Sequence, residues 1–421
     1  MRARLWNTVV LLIVIVVGTS GMVMPSYAQT KEQMPTFDLD RIINLALERN
    51  PTIAGAQSVI EQNEGLRTQA GAYPNPTIEL GTGTGTVRPS ATATRANEYV
   101  GTLFQTVEWP GMRAARKDAA AAGLVGATIG LDEAKLNLIA EVKQVFYELL
   151  LAERTVDLLQ QNLEIVQDVA RIVRARVRSG EGPQFESVKA EVEVLKAKQE
   201  MTKAKNVVRV TLVALDTLTS GALGPRYTVQ GDFRSLRDRL DPEQMAARDL
   251  SQHPILKRQG KLVEQAEFTV TKERQSRVPN VTLFGGYARD VDREAVIGGL
   301  DVAPPIWYAQ QGHIAAALGT QRKEEAELLR SRNNLGRAIN QHAREAETAQ
   351  EQILVYEEGL IKQAHEALRI AQLSFRQGAS SLLDVLDAQR VQRQITVDYN
   401  QARFELSLAL TRFERAVGGP L

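Results

Sequence analysis

Two aspartates, Asp384 and Asp387, lie three residues apart in the stretch RQGASSLLDVLDAQR. Gly378 supplies a turn before them, and the apolar spacing that follows predicts a helix. Residues three apart in a helix share one face, so the two carboxylates would lie side by side. Acidic residues near a helix N-terminus interact favourably with the helix dipole. If several chains met around one axis, the same carboxylates would also form a ring that attracts cations and repels anions.

No other group of residues predicts chemistry. The sequence contains no cysteine, which excludes disulfides, thiolate metal sites and cysteine nucleophiles. Its four histidines are scattered, and we find no nucleophile elbow. The segment GTGTGTV lacks the strand before it and the helix after it that a phosphate-cradling loop needs. A net charge of +1 gives no argument for a nucleic-acid partner. We therefore predict a protein that is not an enzyme and holds no cofactor and no resident metal.

Residues 1–28 have the pattern of a secretory signal peptide. Arg2 and Arg4 form a positive start, Val9 to Val17 is an unbroken apolar run, and Ser26-Tyr27-Ala28 matches a small-x-small cleavage site. That apolar run is shorter than the ~20 residues of a spanning helix. We expect cleavage near Gln29. If the mature chain crosses a membrane, the sequence predicts that it does so with strands.

The mature chain has the pattern of two copies of one plan, 29–220 and 221–421. Shifting the second half by 198 residues places Gly378 on Gly180, and the flanking residues then align. Each copy begins with a helical stretch that a proline interrupts, at Asn50-Pro51 and at His253-Pro254. In the second copy this stretch is predicted to open at Asp241-Pro242, an N-cap followed by proline at the first helical position.

Each copy is also predicted to contain a very long helix and a shorter helix that returns from a glycine turn. The long helices are expected over about 111–179 and 311–376, and at 1.5 Å per residue each reaches roughly 100 Å. Their apolar residues alternate in steps of four and three, the period of a coiled coil. The predicted seam of the first long helix is Leu138, Val142, Val145, Leu149, Ala152, Val156, Leu159, Leu163, Val166, Ala170, Val173 and Val177. The seams of the two return helices are Ala190, Val194, Ala197, Met201, Ala204, Val208, Thr211, Leu215 and Leu218, and Ala388, Gln392, Ile395, Tyr399, Ala402, Leu406, Ala409, Phe413 and Ala416.

Two strand pairs precede the long helices. The predicted strands are 77–87, 99–109, 281–290 and 294–303, all rich in threonine, valine, glycine and aromatic residues. Each is close to the 9–11 residues of a tilted membrane-spanning strand. Four strands cannot close a barrel, for which about eight is the practical minimum. If these strands cross a membrane, several chains must share one barrel, and three chains would supply twelve strands.

At this point the chain resembles the TolC-like outer-membrane efflux proteins. The resemblance covers essentially the whole mature chain and is carried by LDVLDAQ after a glycine turn, the NP helix start, the two strand pairs and the terminal ERAVGG. Two further segments, QTVEWPGMRAAR and PPIWYAQQGHIAAA, look like the CzcC branch, which exports heavy-metal cations.

The resemblance implies an α+β membrane protein. Four strands per chain would form a shared twelve-stranded trimeric β-barrel in the outer membrane of a Gram-negative bacterium. Long antiparallel helices would form a coiled-coil barrel in the periplasm. The implied partners are two further copies, outer-membrane lipid, a periplasmic membrane-fusion adaptor and an inner-membrane pump of the RND type.

The resemblance also implies a periplasmic gate. The family's ring of aspartates matches Asp384 and Asp387, and a further acidic position matches Glu186. Two other gate positions, a tyrosine and an arginine in the family, hold Phe375 and Ser380 here, so this gate must be latched differently. Many relatives carry a lipid-bearing cysteine at the mature N-terminus, and no such anchor is expected here.

The hairpin tips would dock the adaptor. This role is implied by the family, whereas the residues alone predict only glycine turns between coiled-coil arms. The implied docking residues are Arg178, Ser179, Gly180, Gly182, Arg376, Gln377, Gly378 and Ser381.

Two alternatives to a heavy-metal duct stay open from the sequence. The channel could instead carry drugs or a protein secreted by a type I system. A protein of another class, a structural coiled-coil surface protein, would show no conductance and no dependence on Asp384.

Overall fold

A computed structural model describes residues 34–86, 95–235 and 250–420. The predicted signal peptide and the helix start at Asp241-Pro242 lie outside these ranges. The first half contains β1 (Thr36–Asp38), α1 (Leu39–Arg49), α2 (Pro51–Gly71), β2 (Thr77–Thr86), β3 (Arg95–Val107), α3 (Pro110–Arg178), α4 (Gln184–Leu218) and β4 (Thr228–Gln230). The second contains a short 3₁₀ turn (Leu250–Gln252), α5 (Pro254–Gln275), β5 (Val281–Arg289), β6 (Glu294–Val302), α6 (Gln311–Val355), a π-turn (Tyr356–Leu360), α7 (Ile361–Arg376) and α8 (Leu382–Val417).

The predicted long helices are present. Helix α3 is continuous over 69 residues, or about 100 Å. Its counterpart ends where predicted, at Arg376, but a π-turn divides it into α6 and α7. Within that turn Gly359 has φ 170° and ψ −21°, outside the helical range. Glycine is a poor helix former, and the residue 198 positions earlier in α3 is Gln161.

The return helices bury most of their predicted seams, but Val208, Thr211 and Leu218 on α4 and Ala388, Ile395 and Tyr399 on α8 are only half-buried. Ala190, Val194, Ala197, Met201 and Ala204 are all buried against α3. Helix α3 differs from the prediction because it packs against α1, α2, α5 and α8 as well as α4. It therefore buries a second row of side chains, while several predicted seam residues are only half-buried. The additional buried residues are Phe146, Tyr147, Leu150, Leu158, Asn162 and Val169, and the half-buried seam residues are Val145, Val156, Leu159, Leu163 and Val177.

Two X-Pro steps begin helices in the same way. Asn50 accepts a hydrogen bond from the Thr52 backbone N–H (2.8 Å) and donates to the Leu218 carbonyl (2.8 Å). His253 accepts from the Ile255 N–H through Nδ1 (3.2 Å), and its Nε2 lies 3.1 Å from the Arg415 carbonyl oxygen. Burial lowers the pKa of His253, which therefore stays neutral as a helix cap. Each cap fastens the start of one helix to the end of a return helix.

A buried ion cluster joins the two halves near the middle of α3. The Glu414 carboxylate on α8 lies 2.7 Å from Lys143 Nζ and 2.9 Å from an Arg234 nitrogen. The Arg234 backbone N–H donates to the Ser407 hydroxyl (2.9 Å). Glu414 is only 7% exposed, and a buried carboxylate requires such partners because burial without them is costly.

The four predicted longer strands form one antiparallel sheet in the order β2-β3-β5-β6. The register places most of the large apolar residues of the four strands on one face, whereas Val100 and Ile297 lie on the other. That face carries Ile78, Leu80, Tyr99, Leu103, Val107, Val281, Leu283, Tyr287, Val296, Leu300 and Val302. The opposite face carries mainly threonine, glycine and charged residues, with the ring pair Phe104–Phe284 at 5.8 Å. Within the described residues neither β2 nor β6 has a partner on its outer edge.

None of the helices in the described ranges combines the length and the apolar composition that a transmembrane helix requires.

Candidate gate at the hairpin tips

The two hairpin tips have the same turn geometry. Helix α3 ends at Arg178 and α7 ends at Arg376. Gly180 and Gly378 follow with φ +80° and +77°, the left-handed conformation that glycine adopts without strain. In each turn the N–H of the residue after the glycine donates to the carbonyl five residues earlier, Glu181 to Arg176 and Ala379 to Ser374, which closes the end of the helix. Both tips are therefore compact turns with defined backbone geometry.

Asp384 forms a capping box at the start of α8. Its carboxylate accepts hydrogen bonds from the Ser381 N–H and hydroxyl, both at 2.8 Å, and the Asp384 N–H donates to the Ser381 hydroxyl oxygen at 3.3 Å. The bonds from Ser381 favour the ionised carboxyl and lower the pKa of Asp384. The helix-start role considered for this residue is thus present in the structure.

Asp387 is exposed and lies one turn farther along α8. Its carboxylate is 3.5 Å from an Arg390 nitrogen, a pair in which both side chains are largely in solvent. Such exposed pairs contribute little to stability. Glu186 stands in the first turn of α4 and is half-buried. The structure thus places the three candidate carboxylates at the starts of the two return helices.

Phe375 lies elsewhere, in the core between the two hairpins. It is only 2% exposed and packs among Val173, Val385 and Leu386. Ser380 reaches back along its own turn, where its hydroxyl donates to the Ala371 carbonyl (3.4 Å). Neither residue shares the exposed face of Asp384 and Asp387. These two positions therefore support the tip from behind and do not extend the carboxylate group.

Four contacts between the hairpins were not predicted from the sequence. The Arg176 guanidinium lies 4.5 Å from the centre of the Phe375 ring and donates to the Phe375 carbonyl. The remaining three link first-hairpin residues to second-hairpin residues: Asp168 to Arg376 at 3.9 Å, Asn162 to Gln389 through a buried amide hydrogen bond, and Glu200 to Arg393 at 2.5 Å. The sequence offers one weak sign of these contacts. Asn162 and Gln389 are polar residues that directly neighbour predicted seam positions, and both are buried in the structure.

Helix α4 carries an exposed apolar stripe near its tip. Phe185, Val188, Val192 and Leu195 follow each other in steps of three and four, and they are 44–72% exposed. Helix α7 exposes Ile370 and Leu373. A helix with a buried seam on one side and an apolar stripe on another is suited to packing between two neighbours. Among the residues that the structure describes, the seam packs against a partner helix and the stripe stays exposed.

The parts of the chain that the structure describes contain no group of three or more acidic, histidine or cysteine side chains arranged to hold a metal ion.

The comparisons with known proteins agree with this architecture. A family model described as outer membrane efflux protein matches residues 42–221. The cobalt-zinc-cadmium resistance protein CzcC of Cupriavidus metallidurans is 25% identical over 390 residues, which cover 92% of this chain and 91% of that protein. The pyoverdine export outer membrane protein OpmQ of Pseudomonas putida is 25% identical over 410 residues, covering 91% and 86%. The chain is thus similar to outer membrane efflux proteins, by the family model over residues 42–221 and by the CzcC alignment over nearly its whole length.

A solved structure shows the same fold. The CmeC outer membrane channel of Campylobacter jejuni matches with a TM-score of 0.78 at 17% identity, over 90% of this chain and 85% of that one. These similarities indicate a duct of the outer membrane with an extension into the periplasm.

The capping box makes a measurable difference between the two aspartates. In Asp384→Asn, backbone amides at the start of α8 should exchange with deuterium severalfold faster, because the ionised acceptor of the Ser381 N–H is lost. Asp387→Asn is the matched control and should leave this exchange unchanged. Since the folded-state pKa is lowered, protection in the wild type is complete above the ordinary aspartate pKa. It is then lost as pH falls through the lowered value. Equal exchange in the two variants would contradict the capping role.

Proposed function

We propose that three copies of this chain form one channel that carries heavy-metal cations out of the cell. The proposal of a channel rests on the four-stranded sheet, which has one largely apolar face, one more polar face and two edges without a partner strand in the described residues. In lipid every backbone polar group must be hydrogen-bonded, so an open sheet must join others. Three chains give twelve strands, enough for a lumen, whereas the eight strands of two chains would enclose a barrel that side chains fill.

The apolar stripes on the helices support the same assembly. In a closed ring of three chains, the α4 side of one copy would meet the α7 side of the next. Phe185 and Leu195 on α4 and Ile370 and Leu373 on α7 are the exposed apolar residues that this contact would bury. Their burial continues the edge-to-edge strand pairing along the length of the molecule. Helices of about 100 Å then extend the lumen far beyond the membrane.

Heavy-metal cargo is proposed from one relative. The chain aligns over 92% of its length with a protein named for cobalt, zinc and cadmium resistance. OpmQ, matched at the same identity, is named for pyoverdine export, so the fold accepts more than one cargo. We place the adaptor at the hairpin tips, because Gly180 and Gly378 form turns at the far end of the tunnel. An inner-membrane pump of the RND type would supply the energy, which a passive duct does not provide.

The acidic residues are proposed to form the narrow end of the tunnel. Three copies of Asp384 and Asp387 would place up to six carboxylates around one axis. At about 4 Å two like charges repel by about 1 kcal/mol in water and by several kcal/mol where water is excluded. Asp387 is the more available of the two, because Asp384 also caps its helix. Cations passing along the axis would offset this repulsion.

Arg176 is proposed to hold the tip closed. It is the residue of the first hairpin that grips Phe375 of the second, by both a ring contact and a carbonyl hydrogen bond. The π-turn at 356–360 directly precedes α7, the helix that contains Phe375. Helix interruptions of this kind are natural hinge points. The grip thus supplies a latch in a chain that lacks the family's tyrosine and arginine.

Cargo is tested in cells. Deleting the gene should lower tolerance to cobalt, zinc or cadmium, and a plasmid copy should restore it, while tolerance to hydrophobic drugs stays the same. Loss of drug tolerance with normal metal tolerance would contradict metal export and favour a drug duct. If neither metal tolerance nor drug tolerance changes while the protein is present in the outer membrane, the result would favour a structural coiled-coil surface protein.

The acidic ring is tested by planar-bilayer conductance. The double variant Asp384→Asn/Asp387→Asn should lose most of its cation selectivity, because the ring would no longer carry charge. The matched control is Asp398→Asn, which removes an acidic charge from the same helix three turns farther from the tip. Unchanged selectivity in the double variant would assign the two aspartates to helix stability alone.

The Arg176 latch is tested in the same bilayers. Removing a ring contact and a charged hydrogen bond costs about 2 kcal/mol, a roughly 30-fold shift toward open tips. Arg176→Ala should therefore raise the open probability strongly. Arg174→Ala is the control, since Arg174 is exposed and its side chain bonds to the Ala170 carbonyl of its own helix (3.3 Å). Equal conductance in both variants would show that the grip does not hold the gate.

A further inference from the structure

Three exposed apolar residues stand where the sheet gives way to helix α6. Ile306, Trp307 and Tyr308 are 73%, 95% and 48% exposed. They follow Pro304-Pro305, which limit the backbone freedom of the segment, and they precede the helix start at Gln311. A tryptophan with nearly its whole side chain in solvent leaves a large apolar area unburied. Such a patch indicates a surface that something apolar covers.

The segment is held rigidly on α6 by its tyrosine. The Tyr308 hydroxyl oxygen accepts hydrogen bonds from the backbone N–H groups of Gly312 (3.1 Å) and His313 (3.3 Å). Helix α6 has no bond from its own N-cap side chain, so this hydroxyl satisfies its first donors. Tyr308 is thereby turned toward the helix, and the exposed Trp307 beside it is displayed on a fixed support.

The patch continues the apolar face of the sheet. Strand β6 carries Val296, Leu300 and Val302 on that face, and they are 86%, 66% and 43% exposed. Trp307 follows five residues after Val302, at the end of the sheet that faces the helices. An exposed guanidinium also lies there, because Arg277 donates through Nε to the Ala309 carbonyl (3.2 Å). Aromatic residues with a neighbouring cation are typical of the membrane–water boundary.

Trp109 occupies the corresponding junction in the first half, and its contacts differ from those of Trp307. It lies 198 residues before Trp307, at the step from β3 to α3. Its indole N–H donates to the Gln275 side chain (2.9 Å), and its backbone N–H donates to Asn280 (3.2 Å). Trp109 thus has partners within the chain, whereas Trp307 makes no hydrogen bond or ring contact with the described residues. The difference singles out the second junction for an external partner.

We propose that Ile306–Tyr308 is an interfacial anchor that inserts into the headgroup region of the periplasmic leaflet of the outer membrane. The apolar body of Trp307 enters the lipid boundary while its indole N–H remains near water and phosphate. Arg277 lies beside it as a partner for lipid phosphate. This role rests on the proposed barrel, because it requires the apolar face of the sheet to contact lipid. Three copies of the anchor would fix the height of the channel in the membrane.

Tryptophan fluorescence tests the anchor in the full-length trimer. The sequence has three tryptophans, and Trp6 falls in the predicted signal peptide, so N-terminal sequencing should first confirm its removal. Trp109→Phe then leaves Trp307 as the sole fluorophore. In vesicles of lipids brominated at different depths, bromine near the headgroup should quench it most, and aqueous acrylamide should quench it weakly. The reference is Leu300→Trp in the background Trp109→Phe/Trp307→Phe, which places the fluorophore on the apolar face of the sheet.

The outcomes separate the anchor from the barrel. Strong acrylamide quenching of Trp307 without bromine quenching would place it in water and overturn the anchor. Protection from both quenchers would place it against a second copy of the chain, which also overturns it. In both cases, bromine quenching of the Leu300→Trp reference would leave the barrel standing. If bromine quenches neither variant, the sheet does not contact lipid and both proposals fail.

Discussion

The unpaired edges of the four-stranded sheet are the constraint on which the rest of the proposed structure depends. A strand edge in lipid leaves N–H and C=O groups without partners, at several kcal/mol each. Strands β2 and β6 are both edges within the described chain. Pairing β6 of one copy with β2 of the next removes all edges only when the ring closes. The same closure forces the helices that follow β3 and β6 into a ring, so the periplasmic tunnel inherits the symmetry of the barrel.

The proposed threefold symmetry would explain how a chain with few chemically distinctive residues could discriminate between ions at its periplasmic end. A residue near the axis occurs three times within a short distance, so one exposed aspartate per chain becomes a concentrated field. The sequence therefore needs no cofactor and no catalytic group to discriminate charge. What it needs is a helix start whose position is fixed to within a residue. The glycine turn and the capping box at Ser381 and Asp384 provide that position.

The features predicted from sequence are those that local periodicity determines. Strand alternation placed β5 at 281–290 and the structure has Val281–Arg289, and the heptad steps placed the long helix ends within one residue. The predicted seam of α3 was incomplete because it assumed one partner helix, whereas α3 packs against α1, α2, α5 and α8 as well as α4. The grip of Arg176 on Phe375 joins residues 199 positions apart, and no pattern near either residue indicates it. Contacts between elements depend on the packing angle, which a single sequence does not give.

The capping role of Asp384 and its proposed role in the ring would reinforce each other. A ring of carboxylates raises its own pKa values, because each charge disfavours the next, and a ring that picks up protons loses its field. The hydrogen bonds from Ser381 act in the opposite direction and hold the pKa of Asp384 below its ordinary value. The bonds that start the helix thus also keep the carboxylate charged when three copies approach one another. Capping and charge are therefore two consequences of one local geometry, and the hydrogen bonds that cap the helix would also support the proposed role of Asp384 in the ring.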